Sequence, residues 1–419
     1  MQMLRIGGIA ALIVLAGFVL AYQFVEPAPP DHLTLATGGE QGNYYRIGQI
    51  YKQRLAEHGI SVEVLPTQGS VENMTRLQRG EVDLGFVQSG IGSAETQPGL
   101  LGLGSLYFEP LWVFTRAPLA PDLLRDLTGK RIAVGSEGSG TWAVAALLLA
   151  ENGVTAENTS LHRLTGESAA WALATGDIDA MFIVAAPDAP LIKTLLSDPH
   201  IRLMDFRRAE AYARRHRFLS VLVLPRGTID PANDLPAADT RLLAPAATLV
   251  ARAGLHPALQ SLAVQIADEI HKPADMFSAR GTFPSTDFVE FHVSPQAERF
   301  YRSGPSFLQR YLPFWAAVLV DRLWVMLIPL LTLLIPLVRI LPPVYQWRVR
   351  RRIYRMYRDL HMLEYAAETG QKTPEEIDAG LERLDHEIRD LKVPLSYSQE
   401  VYALRLHLNL MRQRATTAA

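Results

Sequence analysis

The stretch GEVDLGF at residues 80–86 returns 96 positions later as GDIDAMF at residues 176–182. Both copies follow a short apolar run that leads into a glycine-rich turn, LTLATGGEQGNYY at 33–45 and RIAVGSEGSGTW at 131–142. Each copy therefore has the pattern of a strand, a glycine turn, a helix, a strand, a helix, an acidic turn and a strand. A repeat of alternating strands and helices predicts two α/β lobes, each with parallel strands covered by helices.

Two further strand patterns, at residues 107–115 and 220–224, bracket the second copy. We therefore expect the chain to cross between lobes twice. The first lobe is predicted at 31–115 and 217–305, and the second at 116–216. Paired crossings are typical of a hinge that closes on a small ligand.

The two glycine turns are candidate sites for an anion. A helix that starts at such a turn offers unpaired backbone N–H groups and a partial positive charge. If both turns face one cleft, they suit a small carboxylate or phosphate. The alternative is that the glycines only close tight turns in the α/β packing.

Composition excludes several classes of function. The chain has 419 residues, a formal net charge of -2 and no cysteine, which excludes disulfides, thiolate metal sites and cysteine nucleophiles. The charge gives no reason to expect nucleic acid as a partner. There is no Gly-x-Ser-x-Gly elbow, no phosphate-binding P-loop and no zinc-protease motif, so we expect no enzyme activity and no cofactor. Asp83 and Asp179 are interpreted as turn and cap residues rather than an acid/base pair.

Two apolar segments are predicted to cross a membrane. Residues 6–25 are almost all apolar and follow Arg5, which favours an N-terminal anchor at 1–26, with a cleaved signal peptide as the alternative. Residues 323–341 are similarly apolar and predict a transmembrane segment at 313–342. For this second segment the alternative is a surface-lying or buried helical hairpin.

Charge next to these segments predicts an orientation. Six arginines lie between residues 348 and 358, and Arg5 precedes the first segment. By the positive-inside rule both termini are then cytoplasmic, and the repeated region faces the periplasm from a bacterial inner membrane. The lipid bilayer is therefore an expected partner.

Residues 348–419 are predicted to form a cytoplasmic helical region. Three helices are indicated, at 353–368, 374–391 and 396–414. The second helix carries a stripe of Ile377, Leu381, Leu384 and Ile388 at spacings of three and four. Such a stripe favours packing within the region or self-association over docking of another protein.

The chain also resembles the TAXI family, the extracytoplasmic solute receptors of one class of TRAP transporter. The resemblance covers roughly residues 33–300 and lies in five motifs, ATGG at 36–39, GNYY at 42–45, QGSVEN at 68–73, GEVDLGFVQ at 80–88 and VGSEGSGT at 134–141. It implies a type II periplasmic-binding-protein fold. It also implies a small carboxylate ligand, such as a glutamate-like amino acid or a 2-oxoacid, and a TRAP permease as partner.

Carried over by position, the resemblance implies seven ligand-binding residues, Gly39, Tyr44, Ser70, Gln88, Ser136, Ser139 and Thr141. The hydroxyls of the last three can donate hydrogen bonds beside the amides of a glycine turn. The predicted function is a membrane-anchored, solute-binding transport subunit. The alternative is a periplasmic sensor or scaffold that signals through the helical tail, because both roles need the same closing cleft.

Overall fold

The computed structural model describes residues 12, 15–19, 22, 23, 27–391, 393 and 395–418. Of residues 325, 326, 328–330, 333, 337, 338, 341 and 415–418 it describes the backbone alone. The chain divides into two compact units, one at 27–319 and the other formed by 1–26 with 320–419.

The described part of the chain forms thirteen strands and twelve α-helices. The strands are β1 (His32–Ala36), β2 (Ser61–Leu65), β3 (Leu84–Gln88), β4 (Leu100–Phe108), β5 (Leu111–Arg116), β6 (Arg131–Ala133), β7 (Ser160–His162), β8 (Ala180–Val184), β9 (Ile201–Leu203), β10 (Ser220–Leu224), β11 (Thr240–Ala244), β12 (Ala246–Arg252) and β13 (His292–Val293). The helices are α1 (Asn43–Glu57), α2 (Ser70–Gln78), α3 (Gly140–Glu151), α4 (Gly166–Thr175), α5 (Pro190–Ser197), α6 (Ala209–Arg215), α7 (Pro257–His271), α8 (Pro295–Ser303), α9 (Phe307–Tyr311), α10 (Phe314–Glu368), α11 (Pro374–Arg389) and α12 (Ser398–Ala418).

The sequence repeat is a structural repeat. The first sheet has the strand order β13-β4-β12-β3-β1-β2, and the second has β10-β11-β5-β8-β6-β7 with β9 beside β5. In each copy the first strand lies between the other two in parallel pairing, with Leu35 opposite Leu84 in one sheet and Ile132 opposite Ala180 in the other. The predicted two-lobed α/β architecture is confirmed.

The chain crosses between the sheets at different places from those expected. β5 pairs antiparallel with β8, and β10 and β11 pair beyond β5, so all three strands belong to the second sheet. The first crossing therefore lies at Glu109 and Pro110 and the return crossing at Pro245. Sheet membership is decided by pairing partners distant in the chain, which an isolated apolar run does not specify.

Each lobe has its own core. The α1 residues at helical spacing, Tyr44, Ile47, Gly48, Tyr51 and Leu55, are buried against the first sheet, as the pattern predicts. Phe86 of β3 and Phe182 of β8 occupy the same position of the repeated motif and are 0% and 2% exposed. The repeat thus places one aromatic ring in each core.

The acidic turns tie the parallel strands together. The Asp83 carboxylate accepts hydrogen bonds from the Thr34 N–H and Oγ1, each at 2.9 Å, and from Arg252 Nε at 2.8 Å. In the second copy Asp179 accepts from the N–H of Arg131 at 2.9 Å and from its guanidinium at 2.8 Å. Both aspartates therefore fix the start of the central strand, as the interpretation of turn and cap residues predicts.

Asp83→Asn is expected to lower the free energy of unfolding by about 1–3 kcal/mol, because hydrogen bonds to a charged partner are lost in a part-buried site. Urea unfolding at pH 7 measures the loss. The matched control is Glu81→Gln in the same turn, whose exposed carboxylate lies 3.7 Å from Arg79 and should change stability by less than about 0.5 kcal/mol. Equal losses in the two variants would contradict this role for Asp83.

The C-terminal unit contains a helical bundle. Thr373 caps α11, since its Oγ1 accepts from the Glu376 N–H at 3.3 Å while Glu376 Oε2 accepts from the Thr373 N–H at 3.0 Å. The apolar stripe of α11 is buried in a cluster with residues of α10 and α12. The stripe therefore serves packing within the region.

The predicted membrane topology is wrong. Within the part of the chain that the structure describes, no helix is both long enough and apolar enough to cross a membrane. The segment predicted at 313–342 belongs to the 55-residue α10, with Asp321 and Arg322 before its apolar part, Arg339 within it and the arginine run after it. The anchor predicted at 1–26 falls mostly outside the described residues. The inner-membrane location, the orientation of the termini and the bilayer as partner are not supported.

Candidate functional site: the cleft between the lobes

Tyr44 links the first helix to the crossing between the sheets. It lies on the first turn of α1 because the glycine turn ends there, and its ring packs on Phe86 with centroids 5.4 Å apart. Its hydroxyl donates a 2.7 Å hydrogen bond to Glu109 Oε2. Burial raises the pKa of Tyr44 well above its ordinary value, Glu109 raises it further, and a hydrogen bond from Ser70 opposes both. Tyr44 is therefore a neutral donor.

Ser70 and Gln88 extend this network towards the second lobe. Ser70 is the first residue of α2, and its Oγ accepts from the Gln88 N–H at 2.9 Å. Gln88 ends β3, and its Nε2 donates to the carbonyl of Gly140, at the start of α3, at 3.1 Å. Three of the seven predicted residues, Tyr44, Ser70 and Gln88, are thus joined to each other and to the opposite lobe.

The second group of predicted residues forms the turn before α3. Ser139 is the N-cap, because its Oγ accepts from the Trp142 N–H at 3.2 Å while its hydroxyl donates to the Ser136 carbonyl at 2.7 Å. Thr141 Oγ1 accepts from the Val184 N–H at 3.1 Å. The Ser139 hydroxyl, which was expected to donate to a ligand, donates to the Ser136 carbonyl in this structure, whereas the Thr141 hydroxyl accepts and retains its proton for donation.

Glycines let the helix starts of the two lobes approach. The Val71 N–H of α2 donates to the Gly138 carbonyl at 3.3 Å across the cleft. A Cβ on Gly140 would lie 2.3 Å from Gln88 Oε1, and one on Gly69, whose φ is +121, would lie 3.7 Å from the Ser139 Cα. The glycines of the second turn therefore serve contact between the lobes, in addition to any contact with a ligand.

Gly39 stands apart from these contacts. It is exposed in the turn before α1, its carbonyl accepts from the Gly42 N–H at 2.7 Å, and a Cβ built on it would meet nothing within 4 Å. A role for Gly39 in binding rests on its backbone and stays a prediction. The same holds for the ligand contacts of the other six residues.

Sequence reasoning missed Glu109. Burial raises the pKa of this carboxyl to about 7, and the hydrogen bond from Tyr44 partly opposes the rise. No signal in the sequence marked it, since its partner lies 65 positions away and its burial follows from the crossing between sheets. Across the described residues, no group of three or more His, Asp or Glu side chains is arranged to hold a metal ion.

Solved structures offer distant similarities. An alkanesulfonate-binding protein from Xanthomonas axonopodis pv. citri, bound to MOPS, is 18% identical over 58% of this chain and 75% of its own, with a TM-score of 0.39. A protein from Bordetella bronchiseptica RB50 is 16% identical over 67% of this chain and 100% of its own, with a TM-score of 0.45. An amino acid ABC transporter substrate-binding protein from Streptococcus pneumoniae, bound to L-arginine, is 15% identical over 57% and 89%, with a TM-score of 0.37.

The family comparison covers both lobes. The model described as the NMT1-like family matches residues 35–258, which is more than half of the 419 residues. The matched region runs from the first strand of the repeat to the start of α7 and includes both glycine turns and both crossings. The narrower TAXI assignment stays a prediction. The chain belongs to the NMT1-like family.

Proposed function

We propose that this protein is a solute-binding receptor that closes its two lobes over a small carboxylate. The observation that carries the proposal is the meeting of the α2 start with the α3 start across the cleft, where Val71 and Gln88 donate to the carbonyls of Gly138 and Gly140. Helix starts present backbone N–H groups and partial positive charge, which suit an anion. The two crossings, which meet where the Glu109 N–H donates to the Pro245 carbonyl, suit a hinge.

The chemistry of the cleft supports binding rather than catalysis. Asp83 and Asp179 bind to the central strands of their sheets, and the Ser139 hydroxyl donates to the Ser136 carbonyl. The groups that remain for a ligand are the proton of the Thr141 hydroxyl and the buried carboxyl group of Glu109. Such groups can orient a ligand. Contacts between the lobes that form when the ligand binds then favour the closed conformation.

At a finer level, we propose a receptor of the TAXI type that delivers its ligand to a TRAP permease. The support is the order and spacing of the five motifs described above. In this receptor we expect Ser136 and Thr141, which lie in the turn before α3 and on its first turn, to contact the carboxylate. Co-purification of a tagged receptor with a TRAP permease encoded beside it tests this partnership.

A thermal-shift screen of the full chain against L-amino acids and 2-oxoacids tests the receptor itself. A ligand at one hundred times its Kd is expected to stabilise the protein by about 2.7 kcal/mol. Gln88→Ala should weaken binding of that ligand about tenfold, because the closed form loses one hydrogen bond between the lobes. The control Gln265→Ala on α7 should bind normally. A complete screen with no stabilising compound would contradict the proposal.

A further inference from the structure

Glu109 lies where the two crossings between the lobes meet. It lies between β4 and β5, where the chain first crosses from one sheet to the other, and its N–H donates to the carbonyl of Pro245 in the return crossing at 2.8 Å. Its side chain is turned inwards, since the residue is only 9% exposed and bonds to Tyr44. The carboxyl group is thus held beside both crossings between the lobes.

The surroundings of Glu109 leave its charge uncompensated. The titratable groups that interact with it are Tyr44 of α1, which bonds to it, and Tyr107 of the preceding strand β4, whose pKa the charge of Glu109 raises. Arg46 of α1 acts on Tyr107, but its guanidinium is exposed and bonds to Asn43 Oδ1 at 2.7 Å. Across the described residues, no ion pair engages Glu109. Burying an ionised carboxylate that has only neutral hydrogen-bond donors costs free energy, unless a cation forms an ion pair with it.

We propose that Glu109 selects ligands that carry a protonated amine beside their carboxylate, against 2-oxoacids of the same skeleton. This inference rests on the receptor function proposed above. An ammonium group supplies the opposite charge and the donors that the carboxylate lacks. A 2-oxoacid has a carbonyl oxygen in place of the amine, so two acceptors would face each other. The receptor then discriminates against a 2-oxoacid because the Glu109 carboxylate stays unpaired when that ligand binds.

Selection of this kind depends on pH. Because the pKa of Glu109 lies at about 7, the carboxylate is largely ionised at pH 8 and largely protonated at pH 5.5. An amino acid therefore loses its ion pair as the pH falls through 7. A 2-oxoacid binds more tightly as the pH falls, since a protonated Glu109 can donate a hydrogen bond to its carbonyl oxygen. The preference for the amine is expected to shrink with acidification.

Isothermal titration of the full chain with matched pairs tests the inference. The pairs are L-alanine with pyruvate, L-valine with 2-oxoisovalerate, and L-glutamate with 2-oxoglutarate. At pH 8 the wild type should bind the amino acid of at least one pair at least about tenfold more tightly than its oxoacid. Glu109→Gln should weaken binding of the amino acid about thirtyfold or more and leave binding of the oxoacid unchanged. Glu63→Gln, an exposed residue of the same lobe, is the control for the change in charge and should behave as the wild type.

Tyr44→Phe provides an independent measurement if Glu109→Gln fails to fold. The hydrogen bond from Tyr44 lowers the pKa of Glu109, so its removal should move the midpoint of the pH dependence of amino acid binding upwards. A midpoint that stays in place would overturn the inference.

The outcomes separate the two proposals. Oxoacids that bind as tightly as their amino acids, with a ratio unchanged by Glu109→Gln, would overturn the role of Glu109 and leave the receptor function standing. If no member of any pair binds, and the wider screen also fails, both proposals fall.

Discussion

Phe86→Ala and Phe182→Ala should each lower the free energy of unfolding by about 3–5 kcal/mol, the usual cost of truncating a buried phenylalanine. The two rings occupy the last position of the repeated motif and are 0% and 2% exposed. Phe86 packs against Tyr44 and Tyr51, with centroids 5.4 and 5.5 Å apart. Phe182 belongs to the core cluster of the second lobe. Similar losses are expected because the duplicated motif places both rings in equivalent cores.

Urea unfolding at pH 7 measures these losses. The control is Phe307→Ala, since Phe307 is 75% exposed and should change stability by less than about 0.5 kcal/mol. Phe86→Ala should also weaken ligand binding, because the ring supports Tyr44. A small loss in either lobe would show that its copy of the motif does not build the core.

The pH dependence of stability should reveal two buried groups that act in opposite directions. Burial lowers the pKa of His271 to about 3, from an ordinary 6.5, and the ring stacks on Tyr107 at 5.6 Å. The unfolded chain therefore binds a proton below pH 6.5 that the folded chain refuses until about pH 3, so stability falls with pH across that window. Between pH 7 and pH 5 the loss is about 2 kcal/mol.

Glu109 offsets this loss. Its folded pKa of about 7 lies above the ordinary 4.5, so the folded chain binds a proton first as the pH falls. Stability from this group is fully present below 4.5 and is lost as the pH rises through 7, which gives a gain of about 2 kcal/mol from pH 7 to pH 5. In the wild type the two contributions nearly cancel.

Variants separate the two groups. Relative to wild type, His271→Phe should become about 2 kcal/mol more stable on going from pH 7 to pH 5, and Glu109→Gln about 2 kcal/mol less stable. Urea unfolding at both pH values gives these differences. The control is His32→Gln at an exposed position, whose stability should change between pH 7 and pH 5 as that of the wild type does. A parallel response of all four proteins would contradict the assignment of buried groups.

Local patterns carried much of the prediction. The duplicated stretch gave both parallel strand triplets, the apolar spacing of α1 gave its buried face, and Thr373 with Glu376 gave the start of α11. These features depend on neighbours within a few residues, or on a motif whose copies can be compared. The predictions were therefore reliable for features that the residues of a single helix, strand or repeated motif determine.

Other features depend on partners that are distant in the chain. The Ser139 hydroxyl was predicted to meet a ligand, which stays a prediction, and only the structure shows that it donates to the Ser136 carbonyl. The crossing points were misplaced, because β5 and β11 are assigned by pairing with each other. The apolar part of α10 suggested a membrane span, but within the described residues no helix is long and apolar enough to cross a membrane.

The sequence by itself determined the two α/β lobes, since a repeated strand and helix pattern has one economical way to bury its apolar faces. The tertiary structure alone decided which groups meet in the cleft. Gln88 reaches Gly140 over 52 positions, and Glu109 receives its hydrogen bond from Tyr44 over 65. The burial of Glu109 and the shift of its pKa depend on the packing of both lobes, because water is excluded from this residue only after the chain has crossed between the lobes twice.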